Sequence, residues 1–124
     1  MPTIFIVDDD PSMRRMLRLI FEEEGLAVFT AANGLEALAS ESVRAGEIDI
    51  VITDVMMPEM DGLTLAENLK RQYPDLPVLI LSGCSDYLDI GSSNATEIMA
   101  KPFEVTALLG SVRRLLSKRV SRVL

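Results

Sequence analysis

Short apolar runs alternate with stretches of helical period along the whole chain. Ile4-Phe5-Ile6-Val7, Leu26–Thr30, the run from Ile48 to Asp54, Val78–Leu81 and Ile98–Ala100 each read as a buried strand. Between them, Met13, Met16, Leu17, Ile20 and Phe21 fall on one helical face, and Gly25 is a natural stop. Leu35, Leu38 and Ala39 support a helix from Gly34 to about Arg44. Leu65, Ala66 and Leu69 mark a third helix, ended near Tyr73-Pro74, and Val105, Leu108, Leu109, Val112 and Leu116 give the last helix its stripe. Residues 84–97 carry only a weak pattern. Gly91-Ser92-Ser93-Asn94 are poor helix formers, so a fourth helix is expected to be short, irregular or absent and its segment mobile, the alternative being a compact non-helical loop. Strands alternating with helices predict βαβ units and a parallel sheet, an α/β fold covered by helices on both faces.

The polar residues that end these strands change the picture. Asp8 and Asp9 follow the first strand, Asp54 the third, Ser82 the fourth and Lys101 the fifth. A parallel sheet points all its strand ends the same way, toward the edge where such sheets place ligands. Met57-Pro58 delays the next helix, because a residue before proline is pushed out of the α region. Taken singly, the acids are ordinary helix caps or turn residues, and the Ser and Lys are ordinary turn and solvated groups. Together, three carboxylates repel, and a hard divalent cation such as Mg²⁺ is the natural remedy. Asp54 would then supply a nucleophilic carboxylate to a phosphoryl group, Lys101 a neutralising charge and Ser82 a hydrogen bond.

Composition narrows the rest. The 124 residues suffice for one domain with a real core, and 48% hydrophobic with 25% charged residues is ordinary for a soluble protein. No apolar run is long enough to span a membrane, and the single Cys84 allows no internal disulfide, which fits a reducing, cytoplasmic setting. Without any His, a phosphoryl donor of the imidazole type must come from another molecule. The net charge of −7 is uneven: residues 1–104 hold all 19 acidic and 7 basic groups, whereas 105–124 hold 5 basic groups alone. So acidic a body argues against direct nucleic-acid binding. The basic end reads either as the solvated face of a last helix, with cations at its negative pole, or as a docking surface or linker start.

Val7-Asp8-Asp9, the run Asp54-Val-Met-Met-Pro-Glu-Met-Asp-Gly62, Leu81-Ser82-Gly83 and Lys101-Pro102-Phe103 resemble the receiver domain of bacterial two-component response regulators. The resemblance covers nearly the whole chain. It implies a doubly wound, flavodoxin-like (βα)₅ fold with strand order 2-1-3-4-5, over residues 1–120, with 121–124 a tail or linker start. It implies Asp54 as phosphoacceptor, Asp8, Asp9, Asp54 and the Met56 carbonyl as Mg²⁺ ligands, and Ser82 and Lys101 as phosphate-contacting groups. Lys101-Pro102 would be a cis peptide bond. The implied partners are a sensor histidine kinase or histidine phosphotransfer protein and a downstream effector domain or protein. Membrane contact is not implied, and homodimerisation is left open. Chain length favours a stand-alone receiver or the front of a longer regulator.

Three departures qualify the match. Ile98 occupies the position three before Lys101 where the family often has a switch aromatic, which puts ring-flip signalling in doubt. The stretch between Ser82 and Lys101 is shorter than usual, which predicts an altered face over residues 84–103. Met56 and Cys84, the positions that tune dephosphorylation, offer no group to orient an attacking water. A long-lived phospho-aspartate is therefore expected, against the plainer reading that both side chains simply pack. Two other functions compete. Asp8-Asp-Asp10-Pro-Ser12 after an apolar strand also resembles the opening motif of haloacid-dehalogenase-like phosphohydrolases, with Asp8 as nucleophile and Asp10 as acid/base. A phosphorylation-independent adaptor would keep the fold and signal by binding alone. The favoured reading is a signalling domain, and no turnover enzyme.

Overall fold

In the computed structural model, residues 2–83 and 96–123 are described, with side chains over 2–83 and 97–117. Five strands form one parallel sheet: β1 (Thr3–Val7), β2 (Ala27–Ala31), β3 (Ile50–Asp54), β4 (Val78–Ser82) and β5 (Thr96–Ala100). Their order is β2-β1-β3-β4-β5, the doubly wound order expected from the sequence. The described helices are α1 (Pro11–Glu23), α2 (Gly34–Ala39), α3 (Glu41–Arg44), α4 (Gly62–Gln72) and α5 (Val105–Val123). The expected weakness between Ser82 and Lys101, including the fourth-helix region and Cys84, lies outside the described residues apart from β5.

Alternation along each strand divides the core in two. Phe5, Val7, Val51, Val78 and Ile80 pack on one face with Val43, Leu65 and Leu69 from the helical layer of α2 to α4. Ile4, Ile6, Ile50, Ile52, Leu79 and Leu81 pack on the other with Leu17, Phe21, Leu108, Val112 and Leu115 of α1 and α5. Both sheet faces are thus covered, which is why the central strands read as unbroken apolar runs.

Local chemistry starts the helices where the sequence places them. The Asp10 carboxylate accepts from Ser12 N at 2.9 Å with Pro11 at the first helical position. Asn33 and Asp61 cap α2 and α4, each accepting a backbone N–H at 2.8 Å. Gly25, at φ 83°, turns the chain out of α1 into β2, a left-handed backbone that suits glycine. The structure corrects three expectations. The helix expected from Gly34 to Arg44 is broken at Ser40, whose extended backbone (φ −64°, ψ 135°) ends α2 and starts α3. β5 begins two residues earlier than Ile98, at Thr96. In α5, Leu115 is buried with Leu108 and Val112, whereas Val105 in the first turn is 45% exposed, so the buried stripe starts one turn later than expected.

Candidate functional site

β1 and β3 are adjacent, with Val7 opposite Thr53, so the acidic pair after β1 lies beside Asp54 at the end of β3. Carboxylate oxygens of Asp8, Asp9 and Asp54 all lie within 4.8 Å of one another. On the other side, Asp54 is opposite Leu81 and Ser82 opposite Ala100, so the ends of β4 and β5 arrive at the same edge. Lys101 Nζ stands 3.3 Å from Asp54 Oδ1 and 4.0 Å from Asp8 Oδ2. The Lys101 amide donates to the Ser82 carbonyl at 2.8 Å, and the Lys101–Pro102 bond is cis. Ser82 is buried.

The members differ in setting. Asp8 is 2% exposed; its backbone N–H donates to the Ala31 carbonyl and its Oδ1 accepts from Asp10 N at 2.9 Å. Asp9 is exposed, and Asp54 lies between the two. Met56 is 62% exposed beside the cluster, while Ile98 is half-buried against the core layer shared with α4. Asp10, the acid/base of the phosphohydrolase alternative, is engaged in capping α1.

Two contacts were not legible in the motifs. Arg14 Nη1 donates to the Asp8 carbonyl at 2.7 Å, so the first turn of α1 grips the backbone of the buried acid. The fully buried Thr53 hydroxyl donates to the Asp54 carbonyl at 3.0 Å and lies 3.9 Å from Met57 Sδ. A hydroxyl inside an otherwise aliphatic strand was the available signal for the second, whereas α1 periodicity said nothing of the first.

Burial, above all, pushes the Asp8 carboxyl above its ordinary range. The Asp10 amide pulls it down, Asp54 pushes it up, Lys101 pulls it down and Asp9 pushes it up. Folded Asp8 therefore holds its proton more tightly than the unfolded chain does. In metal-free buffer this contributes stability below the unfolded value of 3.8 that is lost as pH rises through the raised folded value. Asp8→Asn is expected to raise metal-free stability at pH 7 by on the order of 1 kcal/mol. The difference should shrink on acidification toward the unfolded value. Urea titrations at a series of pH values would show it, and a gain independent of pH would refute the electrostatic cause.

The fold and this edge define a class, a doubly wound α/β domain that gathers three carboxylates and an ammonium at the carboxyl ends of its strands. A family model for the response regulator receiver domain matches residues 4–113, and the chain belongs to that family. It is 36% identical over 121 residues to the C4-dicarboxylate transport transcriptional regulatory protein DctD of Rhizobium meliloti, covering 95% of this chain and 26% of that protein. It is 32% identical over 120 residues to the sensor kinase CckA of Brucella abortus, covering 94% of this chain and 13% of that one. The chain thus spans about a quarter or less of these relatives' lengths. Among solved structures, the response regulator TrrA of Thermotoga maritima, in complex with Mg²⁺-BeF, superposes with a TM-score of 0.84 at 35% identity, covering 93% of this chain and 99% of that one. Among the described residues, no helix is long and apolar enough to cross a membrane.

Proposed function

We propose that the chain is a phosphoacceptor switch in which Asp54 takes a phosphoryl group from a phospho-histidine of a sensor kinase or phosphotransfer protein. The observation that carries this reading is the position of Lys101 Nζ, 3.3 Å from Asp54 Oδ1 and 4.0 Å from Asp8 Oδ2, at the edge where the carboxylates of Asp8, Asp9 and Asp54 gather. Asp54 thus stands beside both the acidic pair that would hold a cation and the ammonium that would meet a phosphoryl oxygen.

Asp8, Asp9 and Asp54, with the Met56 carbonyl, would hold Mg²⁺. The donor set fits, because hard oxygens are what Mg²⁺ takes and the like charges need a counter-ion. Bound there, the ion would neutralise charge on the transferring phosphoryl group. An Asp54 carboxylate oxygen attacks phosphorus, the P–N bond to the donor imidazole breaks, and its electron pair stays on that nitrogen, which takes up a proton. Lys101 then exchanges its carboxylate partner for a phosphoryl oxygen. Ser82 donates to a second one, drawing the ends of β4 and β5 toward the site and shifting the 84–103 face that meets an effector. The Thermotoga relative with Mg²⁺-BeF supports this reading. The domain assists its own phosphorylation and dephosphorylation without acting as a turnover enzyme.

Intact mass after incubation with a small phosphodonor should show one added phosphoryl group, and only with Mg²⁺ present. No adduct on the folded protein would favour the binding-only adaptor. The exposed Met56 side chain offers nothing to orient an attacking water. Met56→Asn, which restores an amide, is therefore expected to shorten the phospho-aspartate half-life severalfold, followed by loss of the mass adduct with time. An unchanged or longer half-life would remove Met56 as a tuning position.

A further inference from the structure

Outside the acidic edge, the arginines of α1 carry a feature that the switch does not use. Arg14, Arg15 and Arg18, together with Pro11 and Thr30, line a cavity of about 280 Å³ between the first half of α1 and the end of β2. Positions i, i+1 and i+4 bring the three guanidinium groups to one side of the helix. They are three of the seven basic residues in the first 104, gathered on the most acidic part of the chain.

Their charge is poorly matched by the protein itself. Arg14 spends one nitrogen on the Asp8 carbonyl and Arg18 spends Nε on Glu22 at 3.3 Å, an exposed pair of small worth. Arg15 makes no hydrogen bond or ion pair among the described residues. Each guanidinium has five N–H donors, so most of the donor capacity facing this cavity is unspent. Three adjacent cations repel in the absence of an anion.

We propose that this cavity is a binding site for a small phosphate-bearing molecule, distinct from the Asp54 edge. Planar guanidinium forks match phosphate oxygens two at a time, and Thr30 is among the residues that line the cavity. The size suits a diphosphate-like group rather than a whole nucleotide buried on all sides. The site does not depend on whether Asp54 accepts a phosphoryl group.

The test is calorimetric titration of the chain with pyrophosphate in Mg²⁺-free buffer at low salt, beside citrate as a carboxylate of comparable charge. One pyrophosphate should bind per chain, more tightly than citrate. Arg15→Gln/Arg18→Gln, both exposed positions, should weaken it by about tenfold or more. Lys101→Gln should leave it unchanged. If the double variant is misfolded by circular dichroism, Arg15→Lys/Arg18→Lys keeps the charge and removes the forks, and should also weaken binding. The proposal is overturned by any of four results: no binding, binding indifferent to the arginine variants, citrate binding as tightly, or equal loss in Lys101→Gln.

Discussion

Asp54→Ala is expected to abolish the Mg²⁺-dependent phosphoryl adduct altogether while leaving a folded protein. Among the described residues the geometry leaves no substitute carboxylate for the attack. Asp8 is enclosed, with Oδ1 engaged by the Asp10 amide, and in the Mg²⁺-dependent reaction its carboxylate would be committed to the cation. Asp9 is exposed and would share in holding the cation, and Asp10 caps α1. Losing the nucleophile outright should lower phosphorylation by several orders of magnitude, because the neighbouring groups act only on what it attacks. The fold should survive, since truncation relieves repulsion with Asp8 and Asp9 while removing the partner of Lys101. The measurement is intact mass of wild type and variant, with thermal unfolding as the control. An adduct that persisted in Asp54→Ala would move the nucleophile to Asp8 and revive the phosphohydrolase reading that its spacing to Asp10 and Ser12 first suggested.

Much of this was legible in the sequence because unbroken apolar runs and strand-end chemistry are local signals. Ile4–Val7, Ile50–Ile52 and Val78–Leu81 are apolar on consecutive positions because both sheet faces are covered, and each run stops at a polar residue, Asp8, Thr53 or Ser82, that is itself still buried. Parallel topology then does the gathering, so Asp8, Asp54, Ser82 and Lys101 meet although the chain separates them widely. What sequence could not supply depends on distances between elements. Nothing in Leu35-Glu-Ala-Leu-Ala-Ser40 forbids a continuous helix, yet Ser40 turns extended so that Val43 reaches the core from α3. The contrast between buried Asp8 and exposed Asp9 also arises from packing, as the chain leaves β1 along β2 through the Asp8 N–H to Ala31 bond. Arg14 is the clearest case: helical periodicity marks it as surface, and only the path of the loop after β1 brings the Asp8 carbonyl within its reach.

The loop that follows Asp54 is held by a contact that permits no side chain. A Cβ added at Gly62 would lie 2.2 Å from the Asp54 carbonyl oxygen and 3.1 Å from Val55 Cα, backbone atoms at the end of the central strand and of the residue after it. The Gly62 amide donates to the Val55 carbonyl at 2.9 Å, which fixes this approach and closes residues 55–61 into a tight excursion over the site. Gly62 also opens α4, whose cap Asp61 holds Thr64 N, so the helix cannot retreat without giving up its first turn. Gly62→Ala is therefore expected to destabilise the protein by about 3 kcal/mol, at the upper end for overpacking, because the clash is with backbone. Two substitutions of identical chemistry bracket the effect. At Gly34 the added Cβ meets Met60 Sδ at 2.8 Å, the far part of a flexible side chain, and the loss should be about 1 kcal/mol or less. At Gly110, in the exposed interior of α5 with nothing within 4 Å, alanine should stabilise by about 0.5–1 kcal/mol. Urea unfolding of the three variants gives the ranking directly. If Gly62→Ala unfolds at the wild-type midpoint, the loop yields freely and does not fix Asp54. If the midpoint falls as expected, the surviving folded fraction should also phosphorylate more slowly, because the displaced atoms are the backbone of the acceptor residue itself.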